Sequence, residues 1–269
     1  MKVSSGQKKI YFLSDFHFGA PTKEISRERE LQVCSLLDHI KESCRELYLV
    51  GDVFDFWFEY KTAVPRGYVR FLAKIAEFTD SGIPVKWFTG NHDMWIFDYL
   101  PEELGVQLYR KPIEAEYFGH TLLIGHGDGL GPGDVKYKLL KKIFASKTCQ
   151  WLFARLHPNF GIGLANWSSY KSRKSTGTSD RIFLGKEDEW LYQYCLRKED
   201  QKHHDFYIFG HRHLPLKLAI GSTSTYFNLG EWLHYNTFGI LDENGFQLVQ
   251  WKEQQIIPFD HKIIQNDEI

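Results

Sequence analysis

Short apolar runs rich in Ile, Val, Tyr and Phe recur through the first half of the chain and return near its end. Runs of this length and composition are typical of buried β-strands. The pattern predicts strands at Ile10–Leu13, Leu47–Val50, Val85–Phe88, Thr121–Ile124, Phe206–Phe209 and Tyr226–Leu229.

Helical patterns separate the first three of these runs. Apolar side chains recur three and four residues apart over Glu28–Ile40 and again over Tyr68–Phe78, as in amphipathic helices. Alternation of strand and helix predicts an α/β layered fold. Between Leu218 and Trp251 short apolar runs instead alternate with turn signals such as Asp242–Gly245, which predicts an antiparallel section.

Charge is distributed unevenly along the chain. The net charge is -1, but residues 132–186 carry eleven basic and two acidic side chains, so this segment is strongly basic and the remainder is acidic. The spacing predicts a helix over Val135–Leu156 and a loop rich in Ser, Gly and Asn over Pro158–Ser179. We therefore expect one domain over residues 1–269 with a helical, basic insertion at about 132–186.

Several protein classes are disfavoured by composition. No apolar run approaches the ~20 residues of a membrane span, and the short polar stretch Met1–Lys9 does not resemble a secretory signal. The four cysteines are far apart and form no CxxC pair, which favours free thiols in a reducing compartment. A cytoplasmic protein is the expectation.

Polar clusters follow five of the predicted strands. They are Ser14-Asp15-Phe16-His17, Gly51-Asp52, Gly90-Asn91-His92-Asp93, Gly125-His126-Gly127-Asp128 and Gly210-His211-Arg212-His213. A single strand-end His or Asp is more often a cap or a satisfied polar group than a ligand. Five clusters in order are different, because the carboxyl ends of strands in open α/β sheets converge on one crevice. So many oxygen and nitrogen donors exceed one tetrahedral zinc and suit two divalent ions, with Asp52 as the bridging carboxylate.

These motifs, in this order, resemble the calcineurin-like metallophosphoesterases over roughly residues 9–130 and 205–251. The resemblance implies a four-layer α-β-β-α sandwich with a helical cap insertion. It also implies that Asp15, His17, Asp52 and His213 hold one metal, and that Asp52, Asn91, His126 and His211 hold the other. Asn91 and His92 are the implied catalytic residues: His92 faces the phosphate and either protonates the leaving oxygen or stabilises the transition state.

Within that superfamily the chain is similar to the bacterial UDP-2,3-diacylglucosamine diphosphatases of lipid A biosynthesis. The shared features are the SDxHxG start, the GD-x-F-[DE]-x-W stretch and an insertion between GHGD and GHxH. The resemblance implies cleavage of the substrate's diphosphate at the α-phosphate, giving UMP and 2,3-diacylglucosamine 1-phosphate, usually with manganese. Two positions depart from the better-known branch, which has Arg in place of His92 and an acidic run in place of Phe58-Glu59-Tyr60.

The insertion supplies candidate substrate contacts. By resemblance these are Asp134 and Tyr137, followed by Ser168, Lys171 and Lys174, although each is also explained as a solvated polar side chain. A basic amphipathic insertion suits a lipid-linked UDP-sugar and peripheral contact with the inner membrane surface. No obligate protein partner is implied.

Two other functions remain open at this point. One is a general cytoplasmic phosphodiesterase or phosphatase acting on another nucleotide-linked or small substrate. The other is a nuclease that uses the basic segment, whose binding would fall steeply with salt. The segment matches no recognised nucleic-acid module, so we expect no nucleic-acid partner.

Overall fold

The computed structural model describes residues 8–131, 135–176 and 182–260, which form two β-sheets flanked by helices. The strands are β1 (Lys9–Leu13), β2 (Cys44–Val50), β3 (Val85–Phe88), β4 (Gln107–Tyr109), β5 (Ile113–Tyr117), β6 (His120–Gly125), β7 (Phe206–Phe209), β8 (Pro215–Ile220), β9 (Ser224–Leu229), β10 (Thr237–Asp242), β11 (Gly245–Lys252) and β12 (Gln255–Pro258). The helices are α1 (Lys23–Ile40), α2 (Val69–Asp80), α3 (Tyr99–Leu104), α4 (Val135–Phe144), α5 (Lys147–Phe153), α6 (Pro158–Thr176) and α7 (Trp190–Glu199).

The strands are divided between a seven-stranded and a five-stranded sheet. The first has the order β12-β11-β10-β1-β2-β3-β4 and the second β5-β6-β7-β9-β8. In the first sheet β1, β2, β3 and β4 run parallel, while β10, β11 and β12 are antiparallel. In the second, β6, β7 and β9 run parallel. Parallel neighbours bring their carboxyl ends to one edge of each sheet.

Alternation along β1 shows how the layers form. Ile10 and Phe12 pack into the core between the sheets, whereas Tyr11 and Leu13 pack into the core shared with α1 and α2, because successive side chains in a strand point to opposite faces. The outer face of the second sheet packs against α7 through residues such as Leu191. The predicted four-layer α-β-β-α sandwich is confirmed.

The predicted strands are all present, and the tail is antiparallel where expected, with β10 and β11 joined at Asp242–Gly245. The helical patterns correspond to α1 and α2, although α1 begins earlier, at Lys23, where the side chain of Thr22 caps it by accepting a hydrogen bond from Ile25 N. The strands β4, β5 and β12 and the helices α3 and α7 were not predicted.

The insertion differs from its sequence prediction. The helix expected over Val135–Leu156 is interrupted, and Ser146 caps α5 by accepting a hydrogen bond from Cys149 N. The loop expected over Pro158–Ser179 is wrong, because Pro158–Thr176 forms α6. Proline is common at the first position of a helix, where Pro158 stands. Gly161 allows α6 to pack closely against the body, because a Cβ there would lie 2.6 Å from the Tyr60 hydroxyl. This packing stabilises the helix although many of its residues are weak helix formers.

We call α4, α5 and α6 the cap. Phe153 packs against Phe58 and Trp95 of the body, with ring centroids 4.7 Å apart in each pair. The indole nitrogen of Trp95 also donates to the carbonyl oxygen of Phe144 at 2.8 Å. The cap is therefore attached to the body by aromatic packing as well as by the chain. Within the described residues, no helix has both the length and the hydropathy to cross a membrane.

Candidate metal centre and active site

The seven residues expected to bind metal all lie on loops at the carboxyl ends of parallel strands. Those after β1, β2 and β3 belong to the seven-stranded sheet, and those after β6 and β7 belong to the five-stranded sheet. The first set is Asp15, His17, Asp52 and Asn91, and the second is His126, His211 and His213. The site is therefore assembled from both sheets.

Four of these side chains form one group. Donor atoms of Asp15, His17, Asp52 and His213 lie within 4.8 Å of one another. Nε2 of His213 is 3.0 Å from Nε2 of His17 and 3.3 Å from Oδ1 of Asp15. Two imidazole nitrogens and two carboxylates that converge in a buried space form a donor set suited to a divalent ion.

A second group shares Asp52 with the first. Donor atoms of Asp52, His126 and His211 lie within the same limit, and Oδ1 of Asn91 is 3.4 Å from Nε2 of His126. Nδ1 of His126 is 2.8 Å from the carbonyl oxygen of Val50. Since a carbonyl only accepts, Nδ1 carries a proton, and Nε2 is the ring atom that faces the group.

Asp52 occupies the position that a bridging carboxylate requires. Its Oδ2 lies 3.2 Å from Nε2 of His126 in one group and 3.9 Å from Nε2 of His17 in the other. That oxygen is buried and accepts no hydrogen bond from the described residues. A buried anionic oxygen is costly unless a cation or donor compensates it, so these residues fit a pair of metal ions.

The backbone at the site adopts an unusual conformation. Five of the seven expected ligands have positive φ: Asp15, His17, Asp52, His211 and His213, with values from 46° to 66°. Such a conformation is uncommon outside glycine and concentrates at functional sites. Gly90 allows the loops to approach closely, because a Cβ there would lie 2.1 Å from Oδ1 of Asp52.

His92 lies beside the two donor groups that share Asp52 and is a member of neither. Its backbone N donates to Oδ1 of Asp52 at 2.8 Å, and its ring is perpendicular to that of His17 with centroids 4.8 Å apart. Nδ1 of His92 lies 3.0 Å from the carbonyl oxygen of Asp55 and 3.0 Å from Oγ of Ser169 in α6. Asp55, His17 and His92 also bring donor atoms within 4.8 Å of one another.

Comparison with known proteins decides the family. A sequence model of the calcineurin-like phosphoesterases matches residues 8–215. The chain belongs to the calcineurin-like phosphoesterase family. A protein of Porphyromonas gingivalis named UDP-2,3-diacylglucosamine hydrolase is 35% identical over 250 residues, covering 88% of this chain and 95% of that protein. One of the same name from Pseudomonas fluorescens is 28% identical, covering 89% and 94%.

Among solved structures, the phosphoesterase Yfce from E. coli aligns with 93% of this chain and 96% of its own, at 17% identity and a TM-score of 0.43. The family assignment rests on the sequence match, which includes all five polar clusters from Asp15 to His213. Together with the two groups that share Asp52, it supports a dimetal site in this calcineurin-like phosphoesterase.

Electrostatics in this phosphoesterase keep the two carboxylates of these donor groups ionised. Burial would raise the pKa of both Asp15 and Asp52, yet the surrounding histidines outweigh it and hold each pKa below its ordinary value. Burial likewise would lower the pKa of His126, but the negative charge of Asp52 beside it raises it to about 10, so a bound cation would displace a proton from this ring. The carboxylates are therefore anionic and ready to bind cations.

Neighbouring groups are shifted towards their neutral forms. Burial lowers the pKa of His211 to about 3 and that of His92 to about 4. Burial, with the charge of Asp52 next, raises the pKa of Asp93 to about 7. The carboxylate of Asp93 accepts hydrogen bonds from the backbone of Val53 at 2.9 Å and Gly90 at 2.7 Å. It thus ties the loop after β2 to the loop after β3.

The substrate contacts expected in the insertion have different placements. Tyr137 is partly buried; its hydroxyl donates to Oδ2 of Asp128 at 3.0 Å, and its ring centroid is 6.5 Å from that of His211. Ser168 is exposed on α6. Lys171 is also exposed, with Nζ 5.3 Å from the centre of the Trp167 ring. Asp134 and the side chain of Lys174 lie outside the described residues.

Three residues beside the site were not singled out from the sequence. Asp128 is buried and binds both Tyr137 and Lys141 of the cap. Asp55 is buried beside His17 and His92. Ser169 brings the cap to His92. Asp128 and Asp55 belong to the motifs GHGD and GD-x-F-[DE]-x-W, so the sequence did indicate that they lie near the site. Nothing in the sequence distinguishes Ser169 from Ser168.

Proposed function

We propose that this chain is a UDP-2,3-diacylglucosamine hydrolase. It cleaves the diphosphate at the α-phosphate and releases UMP and 2,3-diacylglucosamine 1-phosphate for lipid A biosynthesis. The observation that carries the proposal is the pair of donor groups that share Asp52 with His92 beside them. The relatives of that name, which align over nearly their whole length, support the substrate assignment.

The proposed ligand sets are Asp15, His17, Asp52 and His213 for one ion, and Asp52, Asn91, His126 and His211 for the other. We propose Mn²⁺ for both, as the resemblance to the UDP-2,3-diacylglucosamine diphosphatases implies; the carboxylate and amide oxygens of the two sets suit it. Held by these residues, two such ions would supply Lewis-acid stabilisation of the phosphoryl oxygens and a water molecule of lowered pKa.

His92 acts on the leaving oxygen in this proposal. Because the carbonyl oxygen of Asp55 lies 3.0 Å from Nδ1 of His92, that nitrogen carries one proton, and Nε2 is the atom that takes up a second proton and gives it to the leaving oxygen. Burial disfavours the charged ring, whereas the negative charge of the bound diphosphate would favour it. Proton donation or charge stabilisation by a positioned imidazole contributes about 10²–10⁴-fold to rate. Asn91 contributes as a ligand of the second ion, next to His92 in the chain.

The cap supplies the proposed contacts to the lipid-bearing sugar. We retain Tyr137, Ser168 and Lys171 as substrate contacts, and Asp134 and Lys174 as contacts proposed from the sequence alone. Tyr137 is the best supported of them, since its ring lies next to His211 and its hydroxyl is held by Asp128.

We also propose that the cap rests on the cytoplasmic surface of the inner membrane. It exposes large apolar side chains, each 45–62% exposed: Leu139, Leu140, Ile143, Trp151, Leu152, Phe160, Leu164 and Trp167. Basic residues are interspersed with them, and Arg155 lies over the Trp151 ring at 4.7 Å. Apolar side chains mixed with lysine and arginine are typical of surfaces that bind anionic lipid.

The activity is tested by turnover of UDP-2,3-diacylglucosamine with Mn²⁺, scored as UMP release, with Asp52→Ala as the inactive control. UMP release above that control is expected. Hydrolysis of bis(p-nitrophenyl) phosphate without UMP release would instead show a phosphodiesterase with another substrate.

Membrane contact is tested by co-sedimentation with vesicles that contain phosphatidylglycerol. Trp151→Glu should weaken binding, whereas Val69→Glu, which alters an apolar residue 70% exposed on α2, should not. Equal binding by wild type and Trp151→Glu would contradict the proposed surface.

A further inference from the structure

The cap reaches into the active site at Ser169. Its hydroxyl, the Nδ1 atom of His92 and the carbonyl oxygen of Asp55 form a triangle with sides of 3.0, 3.0 and 3.3 Å. All three atoms lie within hydrogen-bonding range of one another. A side chain 77 positions further along the chain therefore touches the nitrogen that fixes the state of His92.

The hydrogens of this triangle are determined by chemistry. The Asp55 carbonyl can only accept, so the Ser169 hydroxyl donates to it. The lone pair of that hydroxyl then faces Nδ1 of His92, which must carry a proton. Both neighbours therefore select the same tautomer of the neutral ring, with Nδ1 protonated, so that Nε2 is the atom that takes up the catalytic proton and gives it to the leaving oxygen.

Packing determines where Ser169 lies. Gly161, on the same helix, is buried, and a Cβ there would meet the Tyr60 hydroxyl at 2.6 Å and the Phe153 ring at 3.2 Å. This close approach holds α6 against the body. Asp55 is held independently, by a hydrogen bond of 2.9 Å from its backbone N to the carbonyl oxygen of Phe18. The two sides of the triangle thus belong to separately anchored parts of the molecule.

We propose that Ser169 is a positioning residue that couples the cap to His92. The proposal rests on the proposed hydrolase function, with His92 as its catalytic imidazole. With the cap in place, the Ser169 hydroxyl is a second hydrogen-bond acceptor for Nδ1, beside the Asp55 carbonyl, and keeps Nε2 directed to the reacting phosphate. With the cap displaced, Nδ1 retains the Asp55 carbonyl alone and the ring gains freedom to rotate.

The test compares Ser169→Ala with Ser169→Thr, which keeps the hydroxyl. Asn166→Ala, at an exposed position of the same helix, is the matched control. Each is assayed on UDP-2,3-diacylglucosamine and on bis(p-nitrophenyl) phosphate, which has neither sugar nor acyl chains. Ser169→Ala should lower kcat about 5- to 15-fold on both substrates, the equivalent of one hydrogen bond, with little change in KM. Ser169→Thr should recover most of the loss.

A double-mutant cycle shows whether the effect passes through His92. In a His92→Ala background, Ser169→Ala should cause no further loss of kcat. An additional full loss there would overturn the proposal. So would a change confined to KM for the lipid substrate, because that result would identify Ser169 as a substrate contact.

A spectroscopic measurement separates this proposal from the proposed function. In the Mg²⁺-loaded protein, ¹⁵N shifts of His92 should report Nδ1 protonated in wild type and a mixture of tautomers in Ser169→Ala. Unchanged tautomers in Ser169→Ala would overturn the positioning role. That result is readable even if the chain does not hydrolyse UDP-2,3-diacylglucosamine.

Discussion

Nζ of Lys141, in the first helix of the cap, lies 2.6 Å from Oδ2 of Asp128 and 3.0 Å from its carbonyl oxygen. Asp128 stands two residues after His126 in the loop that follows β6. The Tyr137 hydroxyl binds the same carboxylate. The start of the cap is thus joined to a loop that carries a proposed metal ligand.

Loss of this contact should loosen the cap. In Lys141→Ala we expect faster hydrogen exchange of α4, because Asp128 is buried and would lose its cationic partner. Lys142→Ala, at the neighbouring exposed position, should leave exchange at its wild-type rate. Equal acceleration in both variants would mean that the contact with Asp128 does not anchor α4.

Replacement of His92 should separate catalysis from metal binding. Since His92 is not needed for either donor group that shares Asp52, His92→Ala should retain the wild-type metal content while turnover falls about 10²–10⁴-fold. Metal analysis of the purified variant and its kcat provide the check. A parallel loss of metal would identify His92 as a ligand.

Metal should stabilise the fold through Asp52. A ligand present at 100 times its Kd stabilises the native state by about 2.7 kcal/mol per site. We therefore expect Mn²⁺ to raise the thermal midpoint of the wild type, and EDTA to reverse the rise. Asp52→Asn should abolish the shift, while Glu103→Gln, exposed on α3, should preserve it. A full Mn²⁺ shift in Asp52→Asn would exclude Asp52 as the bridge.

Two glycines offer a matched pair of substitutions. In Gly90→Ala the new Cβ would lie 2.1 Å from Oδ1 and 2.6 Å from the backbone N of Asp52, so the two loops must separate. We expect the free energy of unfolding to fall by about 1–3 kcal/mol and the affinity for metal to decrease. Gly163, within α6, has open space around it, and Gly163→Ala should stabilise by about 0.5–1 kcal/mol. Urea denaturation and metal titration measure both, and unchanged metal affinity in Gly90→Ala would contradict this account.

Glu199 should contribute stability that acid removes. Burial would raise its pKa, but hydrogen bonds from Tyr207, His203, the backbone of His204 and Ser224 lower it to about 2. A pKa lowered in the folded state gives stability that is present above the unfolded value of about 4.3 and is lost as the pH falls towards 2.

At pH 7, Glu199→Gln should therefore be less stable than wild type by about 1–3 kcal/mol. Urea denaturation should show the difference shrinking between pH 4.5 and 2. Glu187→Gln, at an exposed position, is the control and should track the wild type throughout. A difference that stays constant with pH would mean that the carboxylate charge is not the source of the stability.

The polar clusters were predictable because each follows a recognisable apolar run and lies at a strand end, as with Asp52 after β2. The sheet to which each strand belongs was not predictable, because the sequence of a strand does not specify which strand pairs with it. The positive φ at Asp15 and His17 is likewise imposed by the assembled loops. Local sequence preferences disfavour that conformation, so it cannot be read from composition.

The cap was the least predictable part. Serine, glycine and asparagine over residues 158–179 favoured a loop, but Gly161 allows close packing that outweighs weak local propensity. Contacts such as Ser169 with His92 depend on how α6 docks. A sequence pattern describes one element at a time and does not specify that docking.

The division of proposed ligands between the two sheets has a consequence for residues far from the site. A bound metal pair would cross-link the sheets at their carboxyl edge, while Phe227 and Phe12 hold them together in the core between. Anything that shifts one sheet against the other then changes metal affinity, and metal in turn resists the shift by the same free energy. Core packing in this enzyme is therefore also a determinant of how tightly its metals are held.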